Sequence, residues 1–235
     1  LQSQGLDGFS EILDSIEAMA KRYVNEIIET FPHGPIILGG FCMGGTVALE
    51  MAQILKDLGR NVPLVILMDS INPKSIENWS PTFDEYYLSL QSLGFHWSNL
   101  RNVATLLGKF KYVRNKADSV RTRFSRAVKA TFRNRASESI YLHDKASSDN
   151  DVVDLIWRTN EAVGAFYKPK SYDGKVLLLI QYYRYGISRR LGWENIIKGD
   201  FTIYKLPPAP TTMLVEPYVQ KTASCINSCI KSAID

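Results

Sequence analysis

The 235-residue sequence is poor in cysteine and histidine and contains no long hydrophobic run. Its three cysteines, Cys42, Cys225 and Cys229, are too few for a disulfide framework, which favours a reducing, cytoplasmic location. With no Cys-x-x-Cys pair and only three histidines, a metal site is not expected. No stretch approaches about 18 consecutive apolar residues, so no membrane span is expected. The polar start, Leu1–Gly5, does not resemble a signal peptide.

The net charge of +4 conceals a strongly basic segment. Between Arg101 and Arg135 there are eleven Lys or Arg residues and one acid, Asp118, so this segment carries +10 and the rest of the chain carries −6. Such segregation favours an acidic partner. A solvated helix face is the alternative, and composition does not decide between the two.

Helix and strand patterns alternate at both ends of the sequence. The predicted elements are a helix from Ser15 to Phe31, a strand over Ile36–Phe41, a helix over Thr46–Leu58, strands over Val62–Met68, Lys175–Gln181 and Phe201–Leu206, and a helix from Pro217 toward Ile230. From Asn72 to Tyr167 the pattern is helical and amphipathic. We therefore expect an α/β core formed by residues 1–71 and 168–235, with residues 72–167 as a helical insertion.

A glycine-rich motif lies between the first predicted strand and the second helix. It reads Gly40-Phe41-Cys42-Met43-Gly44-Gly45, which is the nucleophile-elbow pattern with cysteine in place of serine. Glycines are needed because the turn is tight. The helix N-terminus favours a thiolate at Cys42, and the backbone N–H of Met43 is a candidate oxyanion donor. The alternative is an ordinary turn that contains an unreactive cysteine.

An acidic residue follows the next predicted strand. Asp69 lies 27 residues beyond Cys42 and directly after Val62–Met68. Because neighbouring parallel strands end at the same edge of a sheet, Asp69 is expected beside the elbow, where it can orient a catalytic base. An aspartate that merely begins the turn before Pro73 is the alternative.

Several blocks together resemble the thioesterase domains that end nonribosomal peptide and polyketide synthases. They are Gly34–Gly45 with Ala48–Ala52, Gly5–Gly8, Leu67–Ser70, Tyr167–Pro169 with Tyr172–Val176, Gly192–Trp193, and Leu206–Pro217. The resemblance implies an α/β-hydrolase core with a mostly parallel sheet and a helical lid. It also implies transfer of an acyl or peptidyl chain to Cys42, with Asp69 as the triad acid. The phosphopantetheine arm would arrive on a carrier protein, so no cofactor of the domain's own is expected. The resemblance implies that the basic segment Arg101–Arg135 contacts that carrier, so neither nucleic acid nor a membrane is expected as the partner.

Two departures from the family pattern stand out. The family's catalytic histidine corresponds to Pro210, which has no proton to exchange. His33 precedes the first predicted strand, at the wrong end of the sheet, whereas His96 and His143 lie in the insertion and are candidate lid bases. The family also has strands before the Gly5–Gly8 loop. Their absence from this sequence predicts an exposed, apolar first strand and suggests a fragment of a longer protein.

Three functions remain open from the sequence. The first is a thioesterase or acyltransferase that releases the chain by hydrolysis, aminolysis or cyclisation. The second is a non-catalytic, thioesterase-like domain that docks carrier proteins, which Pro210 favours. The third is a cysteine hydrolase similar to dienelactone hydrolases, against which the long insertion and the missing histidine both argue.

Overall fold

The computed structural model describes residues 12–76, 166–182, 187–206, 213–216 and 218–234, together with positions 1, 5, 156, 159–160 and 162–164. These residues belong to one compact unit, Leu1–Ser92 with Ser147–Asp235. Most of the predicted insertion, including the basic segment Arg101–Arg135, lies outside the described residues.

Three α-helices, one short 3₁₀ helix and four β-strands are the elements whose bounds the structure describes. In chain order they are α1 (Ile16–Thr30), β1 (Leu38–Phe41), α2 (Met43–Asp57), β2 (Val65–Met68), the 3₁₀ helix Pro73–Ile76, β3 (Val176–Ile180), β4 (Phe201–Lys205) and α3 (Tyr218–Ile234). All the predicted strands and helices in these ranges are present, with shifted ends. Strand β2 begins at Val65 rather than Val62, and Pro63 just before it has no N–H to donate.

The four strands form one parallel sheet in the order β1-β2-β3-β4. Phe41 pairs with Met68, Met68 with Leu179, and Ile180 with Lys205, so the carboxyl ends of the strands form a common rim. All five residues of β3 are buried, as expected for a central parallel strand covered on both faces. In the described sheet, β1 forms an edge and Phe41 is exposed, which matches the sequence expectation for this strand.

The start of α1 and the end of α2 are formed by residues suited to those positions. The N–H of Ala18 donates to the Ser15 side chain at 3.2 Å, so Ser15 is the N-cap of α1. Gly59 has a φ of 73° after α2, and the N–H groups of Gly59 and Arg60 donate to the carbonyls of Lys56 and Leu55. These two hydrogen bonds form a Schellman motif, in which glycine readily adopts the positive φ.

Each face of the sheet has its own apolar layer. Leu67, Leu178 and Ile180 pack in the larger cluster with residues of α1 and α2. Leu177 and Leu179 pack in the smaller cluster, whose partly buried members on α3 include Cys225 and Cys229. The strand alternation therefore places α1 and α2 on one face and α3 on the other. Such a layered core holds the rim of the sheet in fixed geometry.

Candidate active site

The elbow forms at Cys42, where β1 passes into α2. Cys42 has a φ of 53° and a ψ of −123°, a conformation that is strained for any residue with a side chain. Its N–H donates to the carbonyl of Met68 at 2.8 Å, which ties the turn to the end of β2. The Cys42 side chain is exposed at the N-terminus of α2. This strained and accessible arrangement is typical of a nucleophile elbow.

Close backbone approaches explain two of the elbow glycines. A Cβ at Gly40 would collide with the backbone of Gly44 and Gly45, and a Cβ at Gly45 would collide with the Ser70 side chain. At Gly44 a Cβ would meet nothing within 4 Å. Only glycine therefore fits at positions 40 and 45, whereas the space at position 44 is open.

Asp69 occupies the corresponding position at the end of β2. Its φ is 47°, again in the left-handed region. Its N–H donates to the carbonyl of Leu179 at 2.8 Å, and its Oδ1 accepts from the N–H of Gln181 at 2.8 Å. Because Phe41 pairs with Met68, Cys42 and Asp69 directly follow paired residues on adjacent strands. The sheet thus brings both predicted site residues to one rim.

A second loop holds the chain just after Asp69. Trp193 is fully buried and donates its indole N–H to the carbonyl of Ser70 at 2.8 Å. Asn72 donates its side-chain amide to the carbonyl of Gly192 at 2.7 Å, and its N–H donates to the carbonyl of Leu191 at 2.9 Å. The left-handed backbone conformation at Asp69 is unfavourable by itself. These hydrogen bonds to the loop at residues 191–193 hold it in place.

The helix that begins at Cys42 is anchored farther along by a buried polar pair. Glu50 of α2 is 5% exposed, and the Tyr167 hydroxyl donates to its Oε2 at 2.5 Å. Burial raises the pKa of Tyr167 above its ordinary value, and the hydrogen bond to Glu50 adds to the increase. One turn and a half later, Lys56 pairs with Asp173. Together these contacts tie residues 167–173, which lead into β3, to the elbow helix.

The remaining predicted site residues divide into two groups. Met43 is the first residue of α2, so its N–H lies at the helix N-terminus. His33, which the sequence placed at the wrong end of the sheet and outside the site, is exposed between α1 and β1. His96, His143 and Pro210 lie outside the described residues. Within the part of the chain that the structure describes, no group of His, Cys, Asp and Glu side chains is arranged to hold a metal ion. No described helix is long and apolar enough to cross a membrane.

Two charged residues near the site were not selected from the sequence. Glu50 lies within an amphipathic helix, where its buried position is not visible in the pattern. Lys205 is the last residue of β4 and interacts electrostatically with Asp69. The available signal for Lys205 was its place at the carboxyl end of a predicted parallel strand, the edge at which sites form in α/β folds.

A parallel sheet with a strained nucleophile elbow at its first described strand defines an α/β-hydrolase fold. The model of the thioesterase domain family matches residues 1–207. The chain therefore belongs to the thioesterase domain family, as the sequence motifs had indicated.

Individual proteins resemble parts of the chain. Malpibaldin synthetase from Mortierella alpina is 43% identical over 76 residues, which cover 32% of this chain and 1% of the synthetase. The non-reducing polyketide synthase PKS12 from Gibberella zeae is 38% identical over 79 residues, covering 34% of this chain and 4% of the synthase. The aligned part of the chain thus spans only a few per cent of these relatives.

The fold is shared with a solved thioesterase domain. The crystal structure of the NocB thioesterase domain, in covalent complex with a fluorophosphonate nocardicin G analog, aligns with a TM-score of 0.61 and 24% identity. The alignment covers 98% of this chain and 81% of that domain. At this identity the likeness establishes the fold.

Proposed function

We propose that this chain accepts an acyl or peptidyl group from the phosphopantetheine arm of a carrier protein and releases it, with Cys42 as the nucleophile. The observation that carries the proposal is the position of Cys42. Its side chain is exposed on a strained turn at the N-terminus of α2, next to Asp69 on the neighbouring strand end. Membership of the thioesterase domain family supports acyl-thioester chemistry at such a site.

The first step is transfer of the acyl group between two sulfur atoms. The Cys42 thiolate attacks the thioester carbonyl carbon, the bond from that carbon to the phosphopantetheine sulfur breaks, and the departing thiolate takes a proton from solvent. The N–H of Met43 at the start of α2 is the proposed donor to the oxyanion. Because one thioester replaces another, this exchange is nearly isoenergetic and requires little help from a base.

The second step differs because a poor nucleophile must be activated. Release to water needs a proton acceptor, and position 210 holds a proline where the family pattern has histidine. We therefore expect acylation near neutral pH to outpace hydrolysis, so that acyl-Cys42 accumulates. An amine or an intramolecular nucleophile on the acyl chain then competes well with water, which favours aminolysis or cyclisation.

Incubation with acyl-pantetheine thioesters followed by intact-mass spectrometry tests this function. We expect one acyl adduct on the native chain and none on Cys42→Ala. The double variant Cys225→Ala/Cys229→Ala is the matched control, because these two half-buried cysteines lie on α3, and it should keep the adduct. No adduct on the native chain would contradict the proposal and favour a domain that docks carrier proteins without catalysis.

A further inference from the structure

An acyl group carried by Cys42 lies on a sulfur atom that the elbow exposes to solvent. The Cys42 side chain is exposed, while its backbone N–H donates to the Met68 carbonyl at 2.8 Å and holds the turn in place. Cys42 is also the N-cap of α2, and its side chain makes no capping hydrogen bond. The partial positive charge at the N-terminus of α2 therefore lies beside the sulfur when it leaves as a thiolate. The elbow thus stabilises its own leaving group.

A catalytic histidine has two tasks in acyl release, and the described part of the chain offers no histidine for either. It takes a proton from the incoming nucleophile and gives a proton to the leaving group. Position 210 is proline, and the one histidine within the described ranges, His33, is exposed before β1, at the opposite end of that strand from Cys42. A serine alkoxide needs a proton in order to leave. A thiolate is a much weaker base and leaves without one.

The other task decides which class of nucleophile can release the chain. Water and alcohols must give up a proton as they attack, so they depend on a general base. A neutral amine attacks through its lone pair with its protons in place and loses one only after the bond to carbon has formed. Of these three classes, the amine alone needs neither task that a histidine performs. The combination of Cys42 and Pro210 therefore favours an amine.

The amine must also be neutral at the pH of the reaction. An alkyl amine such as a lysine side chain has a pKa of about 10.4, so fewer than about one in a thousand molecules are neutral at neutral pH. An α-amino group has a pKa of about 7.7–8.0, and about one in ten is neutral. A more basic amine is intrinsically more nucleophilic, but with a Brønsted slope below one this gain is smaller than the loss through protonation. An α-amino group is therefore the better acceptor.

We propose that the acyl acceptor at this site is the α-amino group of an amino acid or a peptide and that the product is an amide. This inference rests on the proposed function. The amine nitrogen adds to the thioester carbonyl carbon of acyl-Cys42, and the Met43 N–H donates to the oxyanion. The bond from that carbon to the Cys42 sulfur breaks, Cys42 leaves as the thiolate, and the new amide nitrogen releases its extra proton to solvent. An α-amino group on the acyl chain itself gives a cyclic peptide, and one on a separate molecule gives a linear amide.

The test compares acceptors on a preloaded adduct. The native chain is loaded from an N-acetylated peptidyl-pantetheine, and loss of acyl-Cys42 near neutral pH is followed by intact mass with glycinamide, n-butylamine or n-butanol at equal concentration. We expect amide formation with glycinamide to exceed ester formation with butanol by about 10²- to 10⁴-fold, the size of the general-base help that the alcohol lacks. Glycinamide should also be several-fold faster than butylamine. Loading the same peptide with a free α-amino group distinguishes the two sources, because a cyclic product then forms without added amine.

The pH profile identifies the group that titrates. Release should level off above about pH 8 with glycinamide and continue to rise toward about pH 10 with butylamine. Among the described residues, Asp69, Tyr182 and Lys205 are the charged or titratable groups at the ends of β2, β3 and β4. A midpoint that is the same for both acceptors would show that a group of the protein titrates instead, and it would overturn the inference.

Cys42→Ser is the matched variant, because it keeps the acyl group in place and changes only the leaving atom. Loaded from a p-nitrophenyl ester of the same peptide, its adduct should resist glycinamide, since an alkoxide does not leave unprotonated. Equal release from the two adducts, or ester formation as fast as amide formation on the native adduct, would overturn the inference while leaving the proposed function intact. Failure of the native chain to form any adduct would overturn both.

Discussion

Trp193 donates its indole N–H to the carbonyl oxygen of Ser70 across 2.8 Å, and the two residues are 123 positions apart in the sequence. Ser70 is fully buried and directly follows Asp69, whose backbone is in the left-handed region. A distant loop therefore holds the turn that presents the candidate triad acid. Since the turn is unfavourable alone, its geometry depends on this bond.

Trp193→Phe removes that donor and leaves a buried carbonyl group without its partner. We expect the free energy of unfolding to fall by about 1–3 kcal/mol for the lost hydrogen bond, with a further loss because phenylalanine is smaller. Urea titration, monitored by circular dichroism, measures this loss of unfolding free energy. A loss below about 0.5 kcal/mol, within the range of ordinary surface substitutions, would contradict the assigned role.

The two glycines at the start of α2 should respond oppositely to alanine. Gly45→Ala places a Cβ against the Ser70 side chain, and we expect destabilisation of about 1–3 kcal/mol. Gly44→Ala meets open space within a helix and should stabilise the protein by about 0.5–1 kcal/mol. Thermal unfolding of both variants measures the contrast. Ser70→Gly should recover part of the Gly45→Ala loss, and absence of any recovery would locate the collision elsewhere.

The ionisation of Tyr172 makes the stability of the protein depend on pH in the alkaline range. Burial, with a smaller effect of Asp173, raises its pKa to about 12, and its buried hydroxyl has no hydrogen-bond partner among the described residues. The folded-state pKa exceeds the unfolded value of about 10, so ionisation of Tyr172 favours the unfolded state. The free energy of unfolding is therefore unaffected by this ionisation below pH 10 and decreases as the pH rises toward 12.

We expect Tyr172→Phe to stabilise the protein by about 1 kcal/mol at neutral pH, because it removes the unpaired hydroxyl and keeps the ring beneath Lys56. Its unfolding free energy should also fall less steeply between pH 10 and 12. Urea titrations across this range measure both effects. The exposed Tyr204→Phe is the control and should leave the stability at neutral pH unchanged. Destabilisation by Tyr172→Phe at neutral pH would show that the Tyr172 hydroxyl does have a hydrogen-bond partner.

Pro210→His introduces the residue type that the resemblance to the thioesterase domains predicts at this position. If the lost base limits release to water, this variant should hydrolyse acyl-Cys42 faster by about 10²- to 10⁴-fold, with little change in acylation. Single-turnover measurement of free acid and of the adduct separates the two steps. Rapid formation of free acid by the native chain at neutral pH would contradict this account and direct attention to His96 and His143.

The basic segment offers a test of the proposed partner. Replacing Arg121, Arg123 and Arg126 together by glutamate should weaken binding to an acidic acyl carrier protein by about 10- to 100-fold at low salt and flatten its salt dependence. Isothermal titration at several salt concentrations measures both. The matched control replaces the exposed Lys198, Lys221 and Lys231 by glutamate. Equal effects of the two triple variants would mean that net charge, rather than this segment, attracts the carrier.

The periodicity of the sequence was sufficient to predict the three α-helices, the four strands and the parallel sheet. Runs such as Val176–Ile180 are apolar throughout, which is typical of strands buried on both faces. The predicted ends of the elements were less accurate. Helix α2, for example, begins at Met43, whereas its pattern of buried residues starts only two residues later. The spacing of apolar residues does not show where a helix begins when its N-terminus lies at a strained turn.

The sequence by itself determined which residues form the elbow and the candidate acid. Glycine spacing and strand ends are local properties, so Cys42 and Asp69 were predicted without coordinates. Only the tertiary structure decided how these residues are held and which charges face them. The bond from Trp193 to Ser70, the pair of Tyr167 with Glu50, and the interaction of Lys205 with Asp69 each join positions more than 100 residues apart. Such contacts depend on the packing of the whole sheet, which no local pattern encodes.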